Sequence, residues 1–224
     1  MEIKKVVIAY LLLTVLCVPI FGSELTHMPI HAETERPKKI ALTFDDGPSE
    51  KSTGAILDLL AKYKIRATFF VVGVNVCKNP ELLRREVAEG HEVGNHTFTH
   101  PHLKKLNQTA LEGELQQTAD AVYAISGKQL SLFRPPEGYQ SDVIESATES
   151  MGYSQVLWTI DTKDWAHSSC ESIVKTVEKN ARDGAIVLMH DSIIGEAHTL
   201  EALKKIIPDL IAQGYIFVTV PELG

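Results

Sequence analysis

Cysteine is scarce in this 224-residue chain, and the little there is forms no pattern. Of three cysteines, Cys17 lies in an apolar N-terminal run, and Cys77 and Cys170 stand alone. That excludes a disulfide framework and a cysteine-based metal site. Cys77 and Cys170 read as two unpaired, partly buried thiols, with a single disulfide between them as the alternative. Positive charge is also in deficit, since 22 Lys and Arg against 29 Asp and Glu leave a net charge of −7. Nucleic acid and anionic membrane surfaces are therefore poor partners by bulk electrostatics, although a local basic patch could still grip an anionic polymer. Internal repeats and low-complexity tracts are absent, which removes solenoids and arrays.

Long apolar runs are missing except at the start, where residues 6–22 are broken only by Thr14 and Pro19 and follow Lys4 and Lys5. This is the layout of a secretory signal peptide. An uncleaved anchor is the alternative, because seventeen residues reach the lower limit for crossing a bilayer. Pro19 breaks the run near its end and favours cleavage, after Ser23 or after Ala32. Leu16 before Cys17 speaks against a lipoprotein anchor. Residues 1–23 are thus a signal peptide or N-terminal anchor, the only part that would touch a membrane. Residues 24–37, polar and carrying Pro29 and Pro37, form a linker.

What remains, 38–224, is enough for one substantial core at 44% apolar content. Short apolar runs predict strands at 39–44, 67–72, 91–94, 132–134, 155–158, 185–189 and 215–220. Amphipathic stretches predict helices at about 52–63, 80–89, 111–125, 143–150, 171–180 and 200–212. Gly90, Gly152, Gly184 and Gly214 sit at the helix-to-strand corners, as helix C-terminal caps should. Regular β-α alternation means a parallel sheet, and about seven repeats point to a closed or nearly closed barrel; a doubly wound open sheet fits the same pattern.

The chemistry gathers in two places. Thr43-Phe44-Asp45-Asp46-Gly47-Pro48 ends the first apolar run, and His96-Thr97-Phe98-Thr99-His100 begins fifty residues after Asp46. Two adjacent carboxylates and two imidazoles four residues apart are what a site needs to hold one divalent metal and keep a carboxylate free as a base. Both acids fall at the carboxyl end of a strand, where α/β folds place their chemistry.

With three further matches in order, Arg134-Pro135-Pro136-Glu137-Gly138, Asp161–Trp165 and Leu188-Met189-His190, the chain resembles the polysaccharide deacetylases with a NodB-like domain, carbohydrate esterase family 4. The resemblance runs from Lys38 to Val220. It implies a single-domain, distorted (β/α) barrel and a metal-dependent hydrolase that removes N-acetyl groups from amino sugars. It implies that Asp46, His96 and His100 hold the metal. Such mixed N/O ligation suits zinc, with cobalt, nickel or manganese as alternatives. Asp45 is then the general base and His190 the general acid, with Arg134 orienting the base and Asp164 tuning the acid. Which charge partners which group is left open by the sequence. Leu188 and Trp165 would line the acetyl pocket, although Trp165 and Trp158 also read as plain core.

One departure from the family pattern stands out. The place before the glycine of the third motif, aromatic in many members, holds Glu137. Its backbone N–H could still serve the oxyanion, while a carboxylate at the rim would disfavour an anionic glycan. With a signal peptide and no chitin-binding module, the expected substrate is peptidoglycan first and chitin oligosaccharides second. The alternatives are an O-acetyl esterase on xylan or another glycan, and a catalytically silent glycan-binding domain. The expected protein is a monomer, secreted or held in the cell envelope.

Overall fold

The structure, a computed structural model, describes residues 36–192 and 198–224; the signal peptide or anchor and most of the linker lie outside the described residues. Strand β1 (Lys38–Asp45) is the hub. Its residues from Ile40 to Phe44 are fully buried, as expected of a parallel strand covered on both faces. Around it run β2 (Thr68–Val71), β3 (Glu92–Asn95), β4 (Leu132–Phe133), β5 (Ser154–Gln155), β6 (Ile160–Asp161), β7 (Ala185–His190) and β8 (Tyr215–Phe217). The order is β5-β4-β3-β2-β1-β7-β6, with β8 on the first residues of β1, and every pairing is parallel. The sheet curls into a barrel left open between β5 and β6, which do not pair.

Register carries the consequence for function. Asp45 lies opposite Phe70 of β2 on one side and opposite His190 of β7 on the other. The carboxyl ends of the central strands therefore form one row, with the acids of β1 beside the imidazole of β7.

Helices α1 (Thr53–Tyr63), α2 (Gly73–Lys78), α3 (Pro80–Ala88), α4 (Gln108–Ser126), α5 (Asp142–Ser150), α6 (Cys170–Asn180) and α7 (Thr199–Ala212) connect the strands. Their apolar stripes close on the sheet. Ile56, Leu60, Ile173, Val177, Leu203 and Ile207 join Leu42, Phe44, Phe69 and Val187 in the main core.

Four details depart from the sequence pattern. The strand expected at 155–158 ends at Gln155, after which the carbonyls of Val156 and Leu157 accept from the Arg134 guanidinium at 3.1 and 3.0 Å, and β6, outside the expected range, begins at Ile160. Helix α2, too short for periodicity to reveal, was not expected. It is pinned by Gly73 and Val74 N–H groups donating to the carbonyls of Thr97 and Phe98. Gly184 has a φ of 76° but sits in the turn before β7, past the end of α6, so it is not a helix cap. Cys77 and Cys170 are both free, as expected, but Cys77 is exposed where a partly buried thiol was expected.

Candidate active site

Strand β1 delivers two adjacent carboxylates to the site, with the backbone changing just past the strand's last residue. Asp45 is extended, whereas Asp46 has a φ of 74° and leads into Gly47 and a cis Pro48. Asp45, 3% exposed, turns inward, where its Oδ1 accepts from Arg134 Nη1 at 2.8 Å. Asp46 turns toward the imidazoles, and its Oδ1 lies 3.4 Å from His96 Nε2 and 3.3 Å from His100 Nε2.

The imidazoles are presented by a strained segment. Thr97 has a φ of 68° and His100 a φ of 55°, and for a β-branched residue such as threonine this is a genuine outlier. Such strain persists only where surrounding groups over-determine it. Here Asn95 Oδ1 accepts from Thr97 N–H at 2.9 Å, and Glu114 of α4 accepts from the N–H groups of Phe98 and Thr99 at 2.9 and 2.7 Å. Gly73 packs so tightly on this segment that an added Cβ would meet the Phe98 ring at 2.2 Å.

His96 Nδ1 lies 2.7 Å from the Arg134 carbonyl. A carbonyl only accepts, so Nδ1 carries the proton and the Nε2 lone pair faces Asp46. That second hydrogen bond is what an imidazole ligand uses to fix its tautomer. Burial and the neighbouring His96 lower the pKa of His100, against the pull of Asp46. Burial pushes Asp46 up, but His96, with His190 and His100, outweighs it and holds the carboxyl below its ordinary value.

The three ligand atoms lie within 4.8 Å of one another, and Asp46 Oδ1 is buried with no hydrogen-bond partner. Ligands at about 2.0–2.1 Å from one tetrahedral ion stand about 3.3 Å apart, which matches the distances from Asp46 to the two rings. The donor set therefore fits a divalent cation.

Arg134 is fully buried. It donates to Thr43 Oγ1 at 2.7 Å as well as to Asp45, and lies 4.1 Å above the Phe70 ring. Burial lowers its pKa, against the pull of Asp45. On the opposite side, Asp164 Oδ1 accepts from His190 Nδ1 at 2.8 Å, leaving Nε2 toward the cleft. Its other oxygen accepts from His190 N–H and Thr199 Oγ1, both at 2.8 Å. Burial alone would depress His190, but the hydrogen bond and charge of Asp164 outweigh it and lift the imidazole to about 9. The two pairings left open by the sequence are thus Arg134 with Asp45 and Asp164 with His190.

Asp45, Asp46, His96, His100 and His190 line a cleft of about 390 Å³ with Glu137, Gly138, Trp158, Asp161, Trp165 and Leu188, while Arg134 and Asp164 stand buried behind it. Trp165 is 54% exposed, a wall of the cleft and not core. Glu137 has a φ of 59°, and the next residue, Gly138, approaches Trp158 so closely that a Cβ there would meet the ring at 2.6 Å.

All ten residues singled out from the sequence converge on this one place. Sequence reasoning missed Asp161, whose signal was its position inside the fourth motif, and Thr43, inside the first. It also missed Asn95 and Glu114, which brace the histidine segment; Glu114 had no local signal at all.

The family profile described as "Polysaccharide deacetylase" matches residues 32–156. A peptidoglycan-N-acetylglucosamine deacetylase of Bacillus cereus is 45% identical over 188 residues, covering 83% of this chain and 88% of that protein. A chitooligosaccharide deacetylase of Rhizobium leguminosarum bv. trifolii is 38% identical over 210 residues, covering 88% and 97%. The solved structure of peptidoglycan deacetylase PdaC from Bacillus subtilis superposes with a TM-score of 0.78 at 41% identity, over 84% of this chain and 90% of that one.

Proposed function

The chain belongs to the polysaccharide deacetylase family, and we propose that it hydrolyses the N-acetyl group of amino sugars in an extracellular glycan, with peptidoglycan the first substrate and chitin oligosaccharides the second. One observation carries the reading. A buried Asp–Arg pair and a buried His–Asp pair flank a two-histidine, one-carboxylate set in a single cleft. The relatives' substrates, named above, support the choice of glycan.

Asp46, His96 and His100 would hold the cation, with zinc the first choice for mixed N/O ligation. When bound, a divalent cation supplies Lewis acidity, which makes water more acidic and the acetamide carbonyl more electrophilic. Asp45 takes the proton of the attacking water, its carboxylate aimed and charge-paired by Arg134. The backbone N–H of Glu137 stabilises the developing oxyanion. His190, charged at neutral pH because of Asp164, gives its Nε2 proton to the departing amine. Leu188 and Trp165 wall the slot for the acetyl methyl.

The products are acetate and a free amine. The protein works as a monomer outside the cell or in its envelope, where such glycans lie. No helix among the described residues is long and apolar enough to cross a membrane.

Acetate release from peptidoglycan, chitin oligomers and acetylxylan, with and without added metal, tests the reading. Metal-dependent release from the first two should exceed release from acetylxylan. A strong preference for acetylxylan would make the protein an esterase, and no release from any substrate would leave it a binding domain.

A further inference from the structure

The reaction uses the charges of Asp45, Asp46, Arg134 and His190, but the cleft carries two further charges that it does not require. Besides Asp45 and Asp46, its lining holds two more carboxylates, Glu137 and Asp161, and includes no lysine or arginine. Both extra acids are fixed. Glu137 Oε1 lies 2.9 Å from His102 Nδ1, in a side chain 58% exposed. A carboxylate oxygen accepts, so the ring nitrogen is the donor in this contact. The main chain of Glu137 is itself locked in the left-handed region at a φ of 59°. Asp161 Oδ1 accepts from Lys163 N–H at 2.8 Å and from the Trp165 indole N–H at 3.4 Å, at the foot of the exposed ring wall. The sugar product of deacetylation carries an ammonium, the one charge such a mouth attracts.

We propose that the Glu137 carboxylate is a specificity determinant that reads the charge of the sugars flanking the one being deacetylated. It favours neighbours with a free ammonium and opposes neighbours with a carboxylate. This rests on the deacetylase reading above and refines it to a bias, within either glycan, toward neutral or amine-bearing stretches. Asp161 adds the same sign. Exposed charge pairs of this kind shift an equilibrium by roughly 1.5- to 5-fold each. The effect is a bias, and each deacetylation makes the adjoining sugar a better substrate, so free amines accumulate in clusters along the chain.

The test uses three oligosaccharides of one length whose reacting sugar is flanked by N-acetylglucosamine, by glucosamine, or by a sugar oxidised to a uronate. For the intact protein at low salt, kcat/KM should fall in the order glucosamine, N-acetylglucosamine, uronate, by about 1.5- to 5-fold per step. The order should flatten at high salt, where exposed charges are screened. It should also flatten in Glu137→Gln and in Glu137→Asn, the second chosen because asparagine tolerates left-handed backbone. His102→Gln removes the partner without the charge and should keep the order. Acetate release at equal rates from all three substrates, or an order that persists undiminished in both Glu137 variants, overturns the inference alone. No release from any of the three removes the deacetylase reading and this one with it.

Discussion

Asp164→Asn keeps the size of the side chain behind the proposed acid and removes its charge. The carboxylate is 1% exposed and accepts four hydrogen bonds, from His190 Nδ1, His190 N–H, Thr199 Oγ1 and Trp165 N–H, at 2.8, 2.8, 2.8 and 2.9 Å. Against burial, it lifts His190 from the ordinary 6.5 to about 9. At about 1.4 kcal/mol per pKa unit, that is roughly 3–4 kcal/mol of preference for the charged ring. In the variant, only the weaker pull of Asp45 and Asp46 is left to oppose burial, and the imidazole falls back toward its ordinary value. At pH 7.5 the ring then changes from almost fully protonated to mostly neutral.

The new amide also has nowhere comfortable to put its NH2, since both oxygens of Asp164 face donors. An NH2 placed at Nδ1 would force the ring into the opposite tautomer. The variant should lose about 1–3 kcal/mol of stability for the unmatched groups, so its folding must be checked by circular dichroism before rates are compared. The assay is kcat against pH for an N-acetyl oligosaccharide and for an aryl acetate in parallel. The amide is a poor leaving group unless protonated, so its alkaline limb should move down by about two pH units or more, and its rate at neutral pH should fall by about 10²-fold or more. The ester should lose much less. A cation on Asp46 lowers His190 below 9 in both proteins, so it largely cancels from the difference. An unmoved alkaline limb, or equal losses on both substrates, would refute the assignment of His190 as proton donor.

Other outcomes follow from the same geometry. His96→Ala and His100→Ala should each abolish metal retention and activity together; a metal-free but fully active His96→Ala protein, measured by elemental analysis, would sink the ligand assignment. Asp45→Asn should bind metal nearly as well yet lose about 10²–10⁴-fold in rate, and metal loss there with retention in Asp46→Asn would reverse the two roles. Glu86 is fully buried with neither oxygen hydrogen-bonded, and burial, with the charge of Asp191, pushes its carboxyl well above the ordinary range. The unfolded chain releases that proton near 4.5 while the fold retains it, so stability is lost as pH rises above 4.5 toward the folded value. Glu86→Leu should stabilise the protein by about 1–3 kcal/mol and flatten that slope, and a lower melting temperature at neutral pH would count against it.

Much of this was legible because periodicity and turn chemistry are local. The apolar run ending in Asp45 and Asp46 could only be a buried strand with acids at its carboxyl end, and the register with β7 then sets His190 opposite Asp45. The break between β5 and β6 was not legible, because its cause is Arg134 claiming the carbonyls of Val156 and Leu157 from another strand. Helix α2 escaped for the same reason, being held by carbonyls of the histidine segment. Charge partners were ambiguous because sequence order says nothing of which buried cation meets which buried anion. The low dielectric of the interior decides that by leaving no charge alone.

The positions of backbone strain explain why the motifs are short and sharp while their supports are diffuse. Among the described non-glycine residues, seven have positive φ, and five of these, Asp46, Thr97, His100, Glu137 and Lys163, lie inside four of the five motifs. A left-handed residue turns the chain abruptly, and the one at Asp46 sets that carboxylate between the two imidazoles while Asp45, also within 3.9 Å of His96 Nε2, keeps its other oxygen on Arg134. Each such turn costs about 1–3 kcal/mol, and the groups that offset it need only a hydrogen-bonding atom in the right place. Asn95, Glu114 and Thr97's own hydroxyl do this for the histidine segment, through contacts up to sixteen residues apart. Because a brace can come from any element that reaches, its identity follows from the fold. The reacting groups, by contrast, must be carboxylates and imidazoles at set spacings, and only they leave a signature in the chain itself.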